Sequence, residues 1–363
     1  MTKQIKNVYE TLYTYENLYE AYLNARKNKR YRDEILKFSF NLEENLMEIS
    51  KELKAHTYKV GKYREFYVYE PKQRLIMALP FKDRIVQWGI YQLLNPIFDK
   101  TYIDDSYGCR VGKGTLRAIQ RLHYWLKQVG KKEEKYYYLK LDISKYYYRV
   151  DHEVLINILR KKIKDKQMLE LLKTIINYDG TLFGLKVNGD VNNPADRLAG
   201  KGIPIGNLTS QMFANLYLNE LDQYCKRTLS IKYYVRYMDD IIILSDDKKN
   251  LHEYKELIQT YLEEKLKLKL NKKTAIRPIS LGIEFVGYRL WSTHVEIRKS
   301  TSLKMKRRLK YVKNQYDKNQ ISFSKVNSTV QSYMGIMKHC NSHSMQVKIF
   351  NSFILHPHHD EIR

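Results

Sequence analysis

The chain has 363 residues, 43% of them hydrophobic, which is enough to bury a sizeable core and excludes a disordered chain. Its 65 lysine and arginine residues against 40 aspartate and glutamate residues give a formal net charge of +25, which favours a polyanion such as nucleic acid as the partner, although lysine-based solubility alone would also fit. Three scattered cysteines exclude a disulfide scaffold, and the lack of a signal-peptide pattern or of eighteen consecutive apolar residues predicts a cytoplasmic protein with no membrane partner.

Periodicity and turn residues predict an α+β chain, with an antiparallel sheet backed by helices on one face. A basic run at 26–32 fits either a phosphate contact or a solvated helix face. In chain order, the predicted elements are helices at 1–55, a β-ribbon at 57–80, a helix from about Asp83 to Pro96, a Gly-punctuated loop at 106–115, a helix at 116–129, a strand at 136–143, a helix at 152–178, a loop or hairpin at 179–202, a helix opened by 202–211, strands at 233–237 and 241–245, a helix at 249–266, strands near 274–278 and 283–290, and a basic helical region from Ser300.

Acidic residues stand at two predicted strand ends. Asp142 ends the strand within KLDISKYY, and Asp239 and Asp240 lie at the tip of a tight hairpin within YMDD. Paired acids at a turn are ordinary by themselves, and Asp246 and Asp247 are better explained as acids at a helix start. Extension of a nucleic-acid strand, however, needs carboxylates from different strands to hold two cations about 3.5–4 Å apart. The sequence therefore predicts that Asp142, Asp239 and Asp240 bind two Mg²⁺ ions, or Mn²⁺.

The same segments resemble motifs of reverse transcriptases. In chain order, the resemblances are KQRLIMALPFKDRIVQ (72–87) and SYGCRVGKGT (106–115) to fingers motifs of bacterial enzymes, LKLDISKYYYRVDH to motif A, GIPIGNLTSQMFANLYLNELD to the motif before the active-site hairpin, YVRYMDDIIIL to motif C, LNKKT (270–274) to motif D, and FVGYRL (285–290) to motif E. The resemblance implies a right-hand polymerase fold, with fingers at 1–137, palm and part of the fingers at 138–290, and thumb and C-terminal tail at 291–363.

The resemblance also implies a role for each matching residue. The three aspartates would be catalytic, and the metal would be bound by Asp142, Ile143, Asp239 and Asp240. The incoming deoxynucleotide would be contacted by Lys72, Arg74, Tyr146, Tyr147, Gln211 and Lys272. Template and primer would be contacted by Arg110, Lys113, Ile205, Gly206, Tyr237, Met238, Phe285, Gly287, Tyr288, Arg307 and Arg308. Tyr147 would be an aromatic gate against a 2′ hydroxyl, or alternatively a core tyrosine.

The segment IGNLTSQ (205–211) is similar to the form found in reverse transcriptases of diversity-generating retroelements. That resemblance implies error-prone copying of a template RNA by a bacterial or phage-encoded enzyme. An antiphage-defence reverse transcriptase, making cDNA from a noncoding RNA or without a supplied template, is the alternative. A non-enzymatic RNA-binding scaffold on the same fold is the third hypothesis. The partners implied are an RNA template, a DNA or RNA primer, deoxynucleotides, a structured noncoding RNA and an accessory protein.

Overall fold

Residues 5–69, 73–351 and 353–355 are described by the structure, a computed structural model. The helices are α1 (Tyr9–Leu12), α2 (Tyr15–Ala25), α3 (Asp33–Phe40), α4 (Leu42–Lys54), α5 (Phe81–Asp99), α6 (Thr115–Val129), α7 (Tyr146–Arg149), α8 (His152–Lys162), α9 (Lys166–Ile176), α10 (Leu208–Gln223), α11 (Lys248–Leu266), α12 (Lys299–Asp317), α13 (Phe323–Met337) and α14 (His343–Phe350). The strands are β1 (Arg64–Val68), β2 (Arg74–Ala78), β3 (Tyr137–Asp142), β4 (Gly184–Leu185), β5 (Arg197–Leu198), β6 (Tyr233–Tyr237), β7 (Asp240–Ser245), β8 (Ala275–Pro278), β9 (Ile283–Phe285), β10 (Tyr288–Leu290) and β11 (Val295–Ile297). The predicted α+β class is confirmed.

A four-stranded antiparallel sheet, ordered β6-β7-β3-β8, lies at the centre of the chain. Successive side chains of a strand point to opposite faces, so each face has its own core. Leu139 and Leu141 pack on one face with residues of α10 and α11, whereas Tyr138 packs on the other with residues of α6 and β9–β11. The prediction of helices on a single face is therefore wrong at this sheet, because the apolar side chains of β3, β6 and β7 need cover on both faces.

Two predicted helix boundaries differ from those observed. α5 continues through Pro96 to Asp99, and buries Phe98 at 1% exposure. Burial of that ring offsets the hydrogen bond that proline cannot donate. The helix predicted at 152–178 is two helices, since Asp165 accepts hydrogen bonds from the backbone of Met168 and also from that of Val8 and Tyr9. The break at 163–165 is therefore set by contact with the distant amino-terminal segment.

The β-ribbon of β1 and β2 contacts the start of the IGNLTSQ segment. The amide of Met77 in β2 donates to the carbonyl of Ile205 at 3.0 Å. Gly206 has a φ of 122°, and a Cβ there would lie 2.9 Å from the Met77 carbonyl oxygen, so only glycine fits this approach. The ribbon and the loop that opens α10 thus form one wall.

The C-terminal region is built on a small three-stranded sheet, ordered β11-β10-β9. The segment predicted as one strand at 283–290 is two strands, because Val286 and Gly287 both have positive φ and turn the chain between them. α12 buries Met305, Leu309 and Val312 at helical spacing. Over the residues that the structure describes, we find no helix of the length and apolar character that a membrane crossing requires.

Candidate active site

The two strands that carry the predicted carboxylates are neighbours in the central sheet. Asp142 at the end of β3 pairs directly with Asp240 at the start of β7. Side chains of directly paired residues share a face, with Cβ atoms about 4.5–5.5 Å apart. Tyr237 also pairs with Asp240, so a two-residue turn of Met238 and Asp239 joins β6 to β7. The structure therefore brings all three aspartates to the same end of the central sheet.

The turn has a backbone conformation that its surroundings impose. Met238 has a φ of 53°, which is uncommon for a residue with a side chain. A Cβ on Gly108 would lie 2.6 Å from the Met238 sulfur and 2.7 Å from its backbone nitrogen. Gly108 therefore allows the Gly-punctuated loop to lie directly against the turn.

A buried ion pair lies beneath the hairpin. Arg236 and Asp222 are both completely buried, and their closest nitrogen–oxygen distance is 2.5 Å. Asp222 also accepts a hydrogen bond from the Tyr234 hydroxyl at 2.7 Å. Arg236 donates to the carbonyl of Met238 at 3.1 Å and to Asn215 at 3.3 Å. These bonds connect the turn that carries Asp239 to α10.

The electrostatics of the carboxylates favour a cation. The pKa of Asp240 is raised to about 6, mainly by burial; Lys140 opposes the rise, and the charges of Asp239 and Asp142 add to it. The Lys140 ammonium lies 3.2 Å from Asp240 and also donates to the carbonyl of Glu284 at 2.7 Å. Oδ1 of Asp240 is buried, and among the described residues its only ion-pair partner is the Lys140 ammonium, which hydrogen-bonds to Oδ2 instead. A carboxylate held by one lysine among like charges fits a divalent cation.

The three carboxylates alone would not complete the coordination of a metal ion. Among the described residues, no three acidic, histidine or cysteine side chains converge as a ready-made metal shell. Mg²⁺ commonly keeps waters and takes phosphate oxygens in addition to one or two carboxylates. Asp142, Asp239 and Asp240 therefore fit such an ion if substrate phosphates and water supply the other ligands.

These aspartates line a cavity of about 830 Å³. The other predicted site residues that line it are Arg74, Ile143, Tyr146, Tyr147, Ile205, Gly206, Gln211, Tyr237, Met238 and Gly287. Tyr146 is only 2% exposed, and its hydroxyl donates to the carbonyl of Ala214. Tyr147 is less buried than Tyr146, and its carbonyl accepts from the amide of Ile203 at 2.8 Å. Of the two tyrosines, Tyr147 is therefore the better placed to meet a substrate.

The other predicted contacts are not brought to this cavity. Arg110 donates to Asp99 and to the carbonyls of Ile103 and Ser106, so its guanidinium supports the Gly-punctuated loop. Lys113 pairs with Asp104. Lys72 lies outside the described residues. Exposed side chains that do not line the cavity are those of Lys272, Arg307 and Arg308. Phe285 and Tyr288 are buried in the core beside α6 and α12.

Sequence reasoning missed eleven residues that line the cavity. Among them are Lys140, Asn207, Asn271, Glu284 and Arg298. Lys140 could have been found, because it lies two residues before Asp142 and strand alternation puts both on one face. Asn271, next to the predicted Lys272, lines the cavity, and its amide donates to the Asp142 carbonyl at 2.7 Å. No local pattern indicated Arg298, since the fold brings it in from the start of α12.

Lys140→Met is expected to strengthen binding of Mn²⁺ to the carboxylates about fivefold, because it removes a cation that competes for Asp240. Electron paramagnetic resonance of bound Mn²⁺ measures this without any reaction. Lys273→Met is the matched control, since that lysine is exposed and does not line the cavity. Weaker Mn²⁺ binding in Lys140→Met would instead show that Lys140 holds Asp240 in position.

Comparison with known proteins gives matches over most of the chain. Residues 62–290 match the family model described as Reverse transcriptase (RNA-dependent DNA polymerase). Protein YkfC of Escherichia coli (strain K12) is 28% identical, over 61% of this chain and 65% of that protein. The group II intron-encoded protein LtrA of Lactococcus lactis subsp. cremoris is 23% identical, over 85% of this chain and 60% of that protein. The chain thus spans 60–65% of the length of these two relatives.

A solved structure also matches. The structure of telomerase from Candida tropicalis, in complex with a TWJ fragment of telomeric RNA, is 13% identical with a TM-score of 0.49, and the match covers 80% of this chain and 55% of that one.

Proposed function

Because this chain belongs to the reverse transcriptase (RNA-dependent DNA polymerase) family, we propose that it is an RNA-directed DNA polymerase that makes cDNA by two-metal nucleotidyl transfer. The right-hand polymerase fold and the enzyme class predicted from the sequence are those of this family. The observation that carries the proposed activity is the direct pairing of Asp142 with Asp240 beside Asp239 at the edge of a large cavity.

Different residues of the cavity would have different roles in the reaction. Two divalent cations held by the aspartates would activate the attacking 3′ oxygen and stabilise the leaving one. Arg74, at the ribbon wall, would hold the triphosphate of the incoming nucleotide through charge-assisted hydrogen bonds. Ile205 and Gln211 line the same wall, where they would contact the base pair being formed.

We also propose the division of the chain into fingers at 1–137, palm with part of the fingers at 138–290, and thumb and tail at 291–363. Support comes from the positions of the elements. β1 and β2 form the ribbon wall, the central sheet carries the aspartates, and α12–α14 follow the small C-terminal sheet.

Primer extension tests the proposed activity. Purified protein is supplied with an RNA template, a DNA primer, Mg²⁺ and four deoxynucleotides, and the product is sequenced. A cDNA complementary to the template is the expected result. Products unrelated to the template would contradict templated synthesis, and retained RNA binding without synthesis in any divalent metal would favour the scaffold hypothesis.

Tyr147→Val is expected to raise the incorporation of ribonucleotides relative to deoxynucleotides by roughly tenfold or more, because it removes a ring that would clash with a 2′ hydroxyl. The measurement is the ratio of kcat/KM for the two nucleotide types. Tyr148→Val is the matched control, since its ring also lines the cavity but stacks on Phe183 with centroids 4.5 Å apart. Unchanged sugar selectivity in Tyr147→Val would make Tyr147 a core tyrosine.

For the biological role, we propose error-prone copying of a retroelement template RNA, with a structured noncoding RNA and an accessory protein as partners. The IGNLTSQ segment supports this role, since its residues Ile205, Gly206 and Gln211 line the cavity. The similarity to a group II intron-encoded protein also agrees with an element-encoded enzyme. Errors concentrated at template adenines would favour diversification, whereas synthesis only with one noncoding RNA would favour antiphage defence.

A further inference from the structure

We infer that Arg298 binds the phosphodiester backbone of the primer strand next to its 3′ end, an inference that rests on the proposed polymerase function. Arg298 lines the same cavity as the three aspartates and lies directly before α12. It belongs to none of the motif segments that resemble the family, so this assignment comes from its position in the fold.

Among the described residues, the guanidinium of Arg298 has no hydrogen-bond acceptor and no carboxylate partner. Its Nε is buried and makes no hydrogen bond, and its side chain does not cap α12. Within the described part of the chain, it also makes no ion pair, in contrast to Arg110 and Arg236. A buried donor without an acceptor costs free energy of about 1–3 kcal/mol, more when it is charged. Such a group in a substrate cavity indicates an anionic ligand that completes it.

Backbone contacts fix the arginine at the turn between β9 and β10. The amide of Arg298 donates to the carbonyl of Gly287 at 3.0 Å. The preceding residue, Ile297, pairs with Tyr288 in the small sheet. Val286 and Gly287 have φ values of 41° and 94°, so this turn has a defined left-handed shape. The guanidinium is therefore presented from a rigid support, as precise phosphate recognition requires.

The position of Arg298 relative to the aspartates distinguishes strand phosphates from nucleotide phosphates. Lys140 joins Asp240 to the carbonyl of Glu284, so the β9–β10 turn lies on the Asp240 side of the carboxylates. Arg74 lies on the ribbon wall, at the start of β2. A polynucleotide must leave the cavity, and α12, which begins directly after Arg298, carries exposed cations beyond the cavity; they are Lys306, Arg307 and Lys310. The strand therefore leaves on the Arg298 side, and the triphosphate lies on the Arg74 side.

The strand nearest to Arg298 is the primer. Its 3′ oxygen must lie at the aspartates for the reaction, so its last phosphates are the strand phosphates closest to the carboxylates. The template backbone lies across the width of the base pairs. Phosphate contacts of this kind position a strand without reading its sequence.

Equilibrium binding of a primer–template duplex, without nucleotides, tests the inference independently of synthesis. Arg298→Ala should weaken binding about tenfold and reduce the slope of log affinity against log salt by about one. Arg298→Lys should restore part of the affinity, because it keeps the charge but loses the planar fork. Lys299→Ala is the matched control, since it removes one exposed cation next to Arg298 that does not line the cavity. Thermal melting checks that each variant is folded.

A set of duplexes with single neutral methylphosphonates identifies the phosphate. One substitution among the last primer phosphates should weaken binding to the unmodified protein and have no further effect in Arg298→Ala, as expected for two partners of one contact. Coupling to a template phosphate alone, or equal affinities of Arg298→Ala and Lys299→Ala, would overturn the inference. If the protein binds the duplex with this coupling but makes no cDNA, the proposed function fails while the Arg298 contact stands.

Discussion

Asp239→Asn is expected to reduce Mg²⁺-dependent cDNA synthesis by at least about a thousandfold while leaving the affinity for template RNA within about twofold. Asparagine keeps the shape of the side chain but removes the negative charge that a hard cation needs. Metal ions contribute several kcal/mol of transition-state stabilisation, and each 1.4 kcal/mol corresponds to a factor of ten in rate. RNA binding should persist because it depends on the lysine and arginine surfaces, which the substitution does not touch.

Asp246→Asn is a closely matched control for that experiment. Asp246 follows the opposite end of β7, so it lies about 20 Å along the strand from Asp240. It accepts hydrogen bonds from the Tyr136 hydroxyl and from the amide of Asp247, and an asparagine oxygen can accept either of them. Synthesis should therefore be close to that of the unmodified protein. Persistent synthesis in Asp239→Asn would refute the assignment of the carboxylates.

Local patterns in the sequence were sufficient for the elements that bear the carboxylates. Apolar strands on both sides of YMDD predict a hairpin whose tip lies beside the end of the strand that carries Asp142. The observed pairing of Asp142 with Asp240 places both side chains on one face of the sheet. These predictions succeed because they depend on strand period and turn length, which are properties of the local chain.

Residues whose roles depend on distant contacts were not predictable in the same way. Arg110 looked like a nucleic-acid contact in its glycine-rich loop, yet Asp99 at the end of α5 binds it. The break between α8 and α9 depends on the backbone of Val8 and Tyr9, which pattern reasoning could not bring to Asp165. Arg298 approaches the cavity only because β11 pairs with β10. In each case the deciding partner is distant in sequence and close only in the fold.

The buried ion pair of Arg236 and Asp222 joins β6 to α10, and we expect its loss to destabilise the fold. Burial alone would lower the pKa of Arg236, but the charge and hydrogen bonds of Asp222 raise it above its usual value, so the guanidinium stays charged. Asp222→Asn would leave that charge buried without compensation, and breaking such a pair typically costs about 3–5 kcal/mol. We expect a fall in the melting temperature of roughly five degrees, measured by calorimetry or circular dichroism. The hydrogen bond from the Tyr234 hydroxyl to residue 222 would also weaken.

Asp317→Asn is the matched control for this loss, because it makes the same chemical change in a surface pair. Asp317 lies 3.0 Å from Lys313 one helical turn away on α12, and such pairs contribute about 0.3–0.5 kcal/mol.

Asp222→Asn should also slow cDNA synthesis in the protein that remains folded, since Arg236 holds the Met238 carbonyl in the turn that carries Asp239. Equal melting temperatures for the two variants would mean that Arg236 finds another anion or water, and that the turn is held by strand pairing alone.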